Sequence, residues 1–234
     1  MICRAFGFVF VFCMWCIGAN AQVVNAGVGG NTTKDLLNRI DRDVLNQEAD
    51  LVILMVGTND MLNSKKMITY QEYQKNLEEI IQSIKQRGSE VLLMSSPPVD
   101  SAYLFTRHDR KLFNETPNEK INAVGNIVSA VAKQLGIFFF DLNAKFKELN
   151  LPKHNEDLFI KNPQNSGKTD GVHPTALGYR FIAENIFFFL KENKLLKPDI
   201  KIVCFGDSIT KGSGATVNYP SYLADRIEDY SNKN

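Results

Sequence analysis

Short apolar runs rich in Val, Ile and Phe recur along the chain at Val23–Ala26, Leu51–Val56, Val91–Met94, Ile137–Phe140 and Ile200–Phe205. Their length and composition predict strands buried on both faces. Between them the apolar spacing is helical. Leu36, Leu37, Ile40, Val44 and Leu45 share one face, and Tyr73, Leu77, Ile80, Ile81 and Ile84 share another. A Thr69–Glu72 capping box opens the second helix and Gly88 closes it. Thr116-Pro117-Asn118-Glu119 starts a third that runs to Gly136, Pro174 opens a fourth reaching about Lys194, and a fifth follows Pro220. Five strand–helix units predict an α/β fold, a parallel sheet with helices on both faces.

In such a sheet the working residues gather at the C-terminal ends of the strands. GVGGNT follows the first strand, GTND the second, SSPPVD the third and GDS the last, and DGVHP lies on the loop before the fourth helix. Together they suit acyl transfer. Ser208 supplies a hydroxyl nucleophile, His173 a base, and Asp170, three residues earlier on a turn, an acid that orients the imidazole. Oxyanion donors are at hand in the Ser208 backbone N–H, the N–H of a glycine in the Gly29-Gly30 turn and the Asn59 carboxamide. Taken singly, each cluster has a plainer reading. GDS and Gly29-Gly30 are ordinary turns, Asn59 or Asp60 is a helix cap, and His173 is a cap, a surface residue or half of a metal pair with Asp170. That pair lacks a third nearby ligand, so no metal is expected. His108 and His154, in RHDR and KHNED, read as surface residues. What separates the clusters from coincidence is that each stands at the right end of its predicted element.

Composition narrows the class. The 234 residues, 44% apolar, suffice for one domain with a substantial core, and 27 basic against 26 acidic residues make nucleic acid an unsuitable partner. Residues 1–21 differ from the rest: Arg4 precedes an uncharged stretch rich in Phe and Val that ends in Ala19-Asn20-Ala21. This predicts a secretory leader cleaved after Ala21, with the domain over 22–234 and a secreted or periplasmic destination. The apolar part is shorter than the ~20 residues of a membrane span, so no stable membrane insertion is expected once the leader is gone. A lipid anchor on Cys13 or Cys16 is an open alternative, although bulky Phe12 and Trp15 precede them. Without the leader only Cys204 remains, as a small buried hydrophobe, and no internal disulfide can form.

Taken together, the clusters resemble the sequence blocks of the SGNH hydrolase superfamily, the GDSL-type esterases and lipases. FGDSIT (Phe205–Thr210) resembles the first block and implies Ser208 as nucleophile. NAGVGGNT (Asn25–Thr32) resembles the second, its oxyanion glycine aligning with Gly30; GTND resembles the third and implies Asn59; DGVHP resembles the fifth and implies Asp170 and His173. The likeness covers nearly the whole chain after the leader. It implies a flavodoxin-like three-layer α/β/α sandwich with a five-stranded parallel sheet, no cofactor, and an ester substrate. Block order departs from the family, running two, three, five, one. The chain therefore resembles a circular permutation, with the family's first strand and helix moved to Lys201 through about Tyr230.

The family's sheet order implies strand order 1-5-2-3-4 here, with the permuted strand inside the sheet. Seven residues, Asn193–Asp199, must carry the chain to it; fully extended they reach about 25 Å. A shorter effective reach would force the strand into a neighbouring molecule. The expected activity is serine ester hydrolysis through an acyl-enzyme, on short acyl or acetyl esters of glycans or small lipids. An acyltransferase would share every residue of the site, whereas a silent carbohydrate-binding module would not need them. Phe187–Phe189 cannot all face one way on a helix, which favours core burial over a lipid-facing patch.

Overall fold

The computed structural model describes residues 21–233. Apart from Ala21, the predicted leader lies outside the described residues. In chain order the main elements are β1 (Gln22–Gly27), α1 (Thr33–Leu37), α2 (Ile40–Asp43), β2 (Leu51–Met55), α3 (Thr58–Leu62), α4 (Tyr70–Gln86), β3 (Glu90–Met94), α5 (Ser101–Leu104), α6 (Pro117–Leu135), β4 (Phe138–Phe140), α7 (Leu142–Glu148), α8 (Pro163–Ser166), α9 (Ala176–Glu192), β5 (Lys201–Gly206), α10 (Ser208–Lys211) and α11 (Tyr219–Ser231). The strands form one parallel sheet in the order β1-β5-β2-β3-β4, as the sequence implied.

Alternation along the inner strands splits the core into two layers. Val52 and Leu54 of β2, with Val203 and Phe205 of β5, face the layer under α4 and α6. Leu51, Ile53 and Met55, with Ile202 and Cys204, face the layer under α9 and α11. Both strands are apolar throughout because both faces are covered. β1 is half-exposed instead, because it is a sheet edge whose only strand partner among the described residues is β5. Cys204 is a buried free thiol, and burial pushes its pKa up, out of reach of thiolate chemistry.

Helix ends follow local chemistry. Thr116 and Glu119 complete a reciprocal capping box on α6, and Gly136 ends it in a left-handed conformation. On α4 Thr69 accepts from the Glu72 N–H, the forward half of the expected box. Two expectations change. The single face from Leu36 to Leu45 is divided between α1, α2 and a 3-10 turn at Leu45–Gln47, because Arg39 at the break turns inward. The fourth helix begins at Ala176 under a Thr175 cap, since Pro174 is bridged to Ile160. Phe187 is buried, Phe189 packs against Phe138 and Phe140 of β4, and Phe188 is half in solvent.

The connection into β5 bends sharply. Lys194 and Asp199 both take positive φ. Lys201 N–H donates to the Asp50 carboxylate at 2.7 Å, and Gln22 N–H donates to the Ile200 carbonyl at 2.8 Å. These bonds pin the bottom of β5 between β1 and β2 of its own chain.

Candidate active site

Ser208 stands where β5 ends. Gly206 precedes it because a Cβ at that position would run into the Met55 carbonyl and the Thr210 hydroxyl, so only glycine lets the strand pass its neighbour. Asp207 caps the short turn that follows, its Oδ1 accepting from the Ile209 N–H at 2.8 Å. This strand-to-turn geometry leaves Ser208 half-buried with its hydroxyl toward the loop that carries His173.

That loop is tied down by backbone. Gly171 N–H donates to the Lys161 carbonyl at 2.9 Å, Lys161 N–H to the His173 carbonyl at 2.9 Å, and Asp100 N–H to the Gly171 carbonyl at 2.7 Å. His173 Nε2 lies 2.9 Å from Ser208 Oγ, and its Nδ1 lies 2.9 Å from both Asp170 carboxylate oxygens. Burial alone would raise the Asp170 pKa. The His173 hydrogen bond and charge, with the His173 and Val172 N–H groups, outweigh it and hold the carboxyl well below the usual range. Arg107 adds a bond from Nη2 to the Asp170 carbonyl at 2.6 Å.

The expected oxyanion donors come from two other strand ends. Gly30 lies in the turn after β1 with φ +75°, a conformation that favours glycine. Asn59 is in the first turn of α3, after β2. Its Nδ2 donates to the Asn31 carbonyl at 3.0 Å and to Asp207 Oδ2 at 3.3 Å. Neither Asn59 nor Asp60 caps α3 through its side chain. Asp60 is fully buried and accepts from the Thr33 N–H and hydroxyl, which fixes α1 against α3. Asp207 is also fully buried, and burial pushes its pKa up to about 6.

A cavity of about 60 Å³ opens beside the serine, lined among others by Asn59, Leu104, Arg107, His108, His173 and Ser208. Thr58 lines it too; its buried hydroxyl has no partner among the described residues. His108 departs from the expectation of a surface residue: it is half-buried, contacts Ser64 through Nδ1, and burial lowers its pKa. His154 is half-exposed, stacks on Tyr103 and bonds Asp100 at 2.7 Å, away from the serine's cavity. Ser95 and Asp100, in the cluster after β3, bond Asp141 and cap α5, which are architectural tasks. Arg39 was not singled out by sequence. Its guanidinium bonds the carbonyls at the ends of both β1 and β5, and no local pattern announces that. Among the described residues no group of three or more His, Cys, Asp and Glu is placed to hold a metal ion.

The GDSL-like Lipase/Acylhydrolase family model matches residues 14–181, a span that ends before β5. Among curated proteins, the chain is 28% identical over 180 residues to YqeF, an uncharacterized lipoprotein of Bacillus subtilis, covering 71% of this chain and 72% of that protein. It is 27% identical over 172 residues to an acetylxylan esterase of Geobacillus stearothermophilus, covering 73% of this chain and 71% of that one. Among solved structures, the acetyl xylan esterase AlAXEase aligns with TM-score 0.57 at 26% identity, over 70% of this chain and 79% of its own. The lipase/acylhydrolase of Enterococcus faecalis aligns with TM-score 0.55 at 26% identity, over 72% and 74%.

Proposed function

The chain belongs to the GDSL-like lipase/acylhydrolase family and is a carboxylic ester hydrolase, and from that premise we propose that it removes short acyl groups, acetyl above all, from glycans through an acyl-enzyme on Ser208. The observation that carries this reading is the continuous contact from the Asp170 carboxylate through both His173 nitrogens to Ser208 Oγ, each step 2.9 Å.

In this mechanism His173 Nε2 takes the Ser208 proton as Oγ attacks the ester carbonyl. Asp170 holds Nδ1–H and stabilises the imidazolium, and His173 then protonates the leaving alcohol. Water repeats the cycle on the acyl-enzyme. The Ser208 and Gly30 N–H groups and Asn59 Nδ2 receive the oxyanion. Both Asn59 amide hydrogens are engaged at rest, and the longer bond, to Asp207, is the one an oxyanion would share.

The acyl size follows from space. A cavity of about 60 Å³ compares with a water molecule's share of ~30 Å³ in the liquid, a seat on the scale of an acetyl group. The acetylxylan esterase relatives point the same way for the alcohol. The test is a chain-length series of p-nitrophenyl esters, acetate to palmitate, beside acetylated glycans, with Ser208→Ala as control. Activity should fall steeply beyond the shortest acyl groups and vanish in the folded variant. Preference for palmitate, or activity surviving Ser208→Ala, would overturn the reading.

Two further parts belong to this proposal. The protein is exported, with its leader removed after Ala21, which leaves β1 whole; N-terminal sequencing of exported chain checks the cut. No helix among the described residues is long and apolar enough to cross a membrane. The chain is also a circular permutation of the family, supported by a family match that stops before β5 and by the seat of β5 between β1 and β2.

A further inference from the structure

An aromatic-lined depression lies not at the serine but beside it. It encloses about 420 Å³ between Phe105, Arg110, Phe113, Asn114, Glu115 and Glu119. The Phe105 and Phe113 rings meet edge to face at 5.3 Å, and the Arg110 guanidinium lies 5.5 Å over the Phe105 ring. Glu115 accepts from the Tyr70 hydroxyl at 2.6 Å, which holds its carboxylate in place. The Arg110 guanidinium and the Asn114 carboxamide have no hydrogen-bond partner among the described residues, so their donors are available.

This groove is joined to the catalytic cavity by a single turn of chain. Ser101, Ala102 and Phe105 line the groove, whereas Leu104, Arg107 and His108 line the cavity beside Ser208. Leu104 and Phe105 are neighbours, with Cα atoms ~3.8 Å apart. The two depressions therefore open from different faces of this one turn, and a helix with its side chains is ~10 Å across. An ester whose carbonyl sits at Ser208 reaches the groove only if its alcohol portion is longer than a single sugar ring.

We propose that this groove is a subsite for the glycan chain of the substrate, distal to the acetylated sugar; the proposal rests on the glycan-ester reading above. The lining chemistry selects the occupant. Sugar rings offer apolar C–H faces to aromatic rings and hydroxyls to carboxylates, amides and guanidinium groups, and this groove supplies all four. An acyl chain in the same place would desolvate the Arg110 guanidinium with nothing to bond it. It would also strip water from the Glu115 and Glu119 carboxylates, which hold one internal bond each, to Tyr70 and Thr116; both losses are costly.

The experiment measures kcat/KM on acetylated xylo-oligosaccharides from dimer to hexamer, and on p-nitrophenyl acetate, for wild type, Arg110→Ala and Phe113→Ala. Arg110 is exposed, so its variant folds whatever Phe113→Ala does. In wild type, kcat/KM should rise about tenfold from dimer to hexamer, chiefly through KM. The rise should disappear in both variants while p-nitrophenyl acetate turnover stays within about twofold. A flat wild-type series with the dimer still cleaved would overturn the subsite alone, as would a rise that survives both substitutions or an equal loss on p-nitrophenyl acetate. A wild type that cleaves p-nitrophenyl acetate and no acetylated oligosaccharide would overturn the glycan reading and the subsite with it.

Discussion

Arg39 Nη2 donates to the carbonyl oxygen of Gly206 at 2.7 Å, across 167 residues of chain. The same guanidinium donates to the Ala26 carbonyl at 2.9 Å, to Asn31 Oδ1 at 2.7 Å and to Asp43 at 2.7 Å, and it lies 4.6 Å from the Phe205 ring centroid. One buried side chain thus clamps the ends of β1 and β5 just beneath Ser208. It also steadies Asn31, whose carbonyl holds Asn59. Arg39→Met should cost about 3 kcal/mol of stability, since it removes a buried charge's bonds to the Gly206 and Ala26 carbonyls and to Asn31 and leaves Asp43 without its buried partner. Arg39→Lys should recover little, because a point charge cannot reproduce a fork that bonds in several directions. Urea unfolding of both variants checks this; a lysine variant as stable as wild type would show that charge alone suffices.

Asn59→Ala should lower kcat by about 10²–10³ with a smaller change in KM, the usual cost of one oxyanion donor. Steady-state kinetics on p-nitrophenyl acetate separates the two constants. A change confined to KM would make Asn59 a substrate-binding residue instead.

Asp207 gives a pH dependence whose sign can be worked out. Its folded pKa, about 6, exceeds the unfolded value of ~3.9, so the folded chain holds the proton more tightly. Its favourable contribution is complete below about pH 4 and disappears as pH climbs through 6. Above that its buried charge is a standing cost of roughly 3 kcal/mol. Asp207→Asn should therefore gain stability relative to wild type between pH 4 and pH 7, as read from urea midpoints at each pH. Its activity should fall, because an asparagine that keeps its oxygen on the Ile209 N–H turns its NH₂ toward Asn59. A stability difference that does not change with pH would disprove the linkage.

Completion of the site within one chain can be tested by complementation. Inactive Ser208→Ala and His173→Ala chains, unfolded together and refolded, should remain inactive. Activity in the mixture would mean that β5 exchanges between molecules. Truncation before Pro198 should leave an insoluble chain, since β1 and β2 would each lose a ladder partner.

The inner sheet was plain in the sequence because covered strands are apolar at every position, as in Leu51–Met55. The serine, histidine and aspartate were legible because each follows a strand end or opens a turn with its own local signature. Arg39 was not: within LLNRIDRD it falls on the polar side of a helical pattern, and two of its partners are backbone carbonyls, which carry no sequence signal. His108 was missed for a related reason. Its charged neighbours look solvated, but Leu104 is buried and draws the turn down onto the serine's cavity.

The position of β5 also bears on how the protein is made. The ribosome completes β2 about 150 residues before it reaches β5, a delay of roughly 7–30 s at ordinary synthesis rates. Throughout that interval β1 and β2 lack the strand that each pairs with in the folded sheet. Unpaired strand edges of this kind are prone to aggregate until their partner arrives. Under the export proposed above, a chain that crosses a membrane before β5 is in place would cross with its sheet still open.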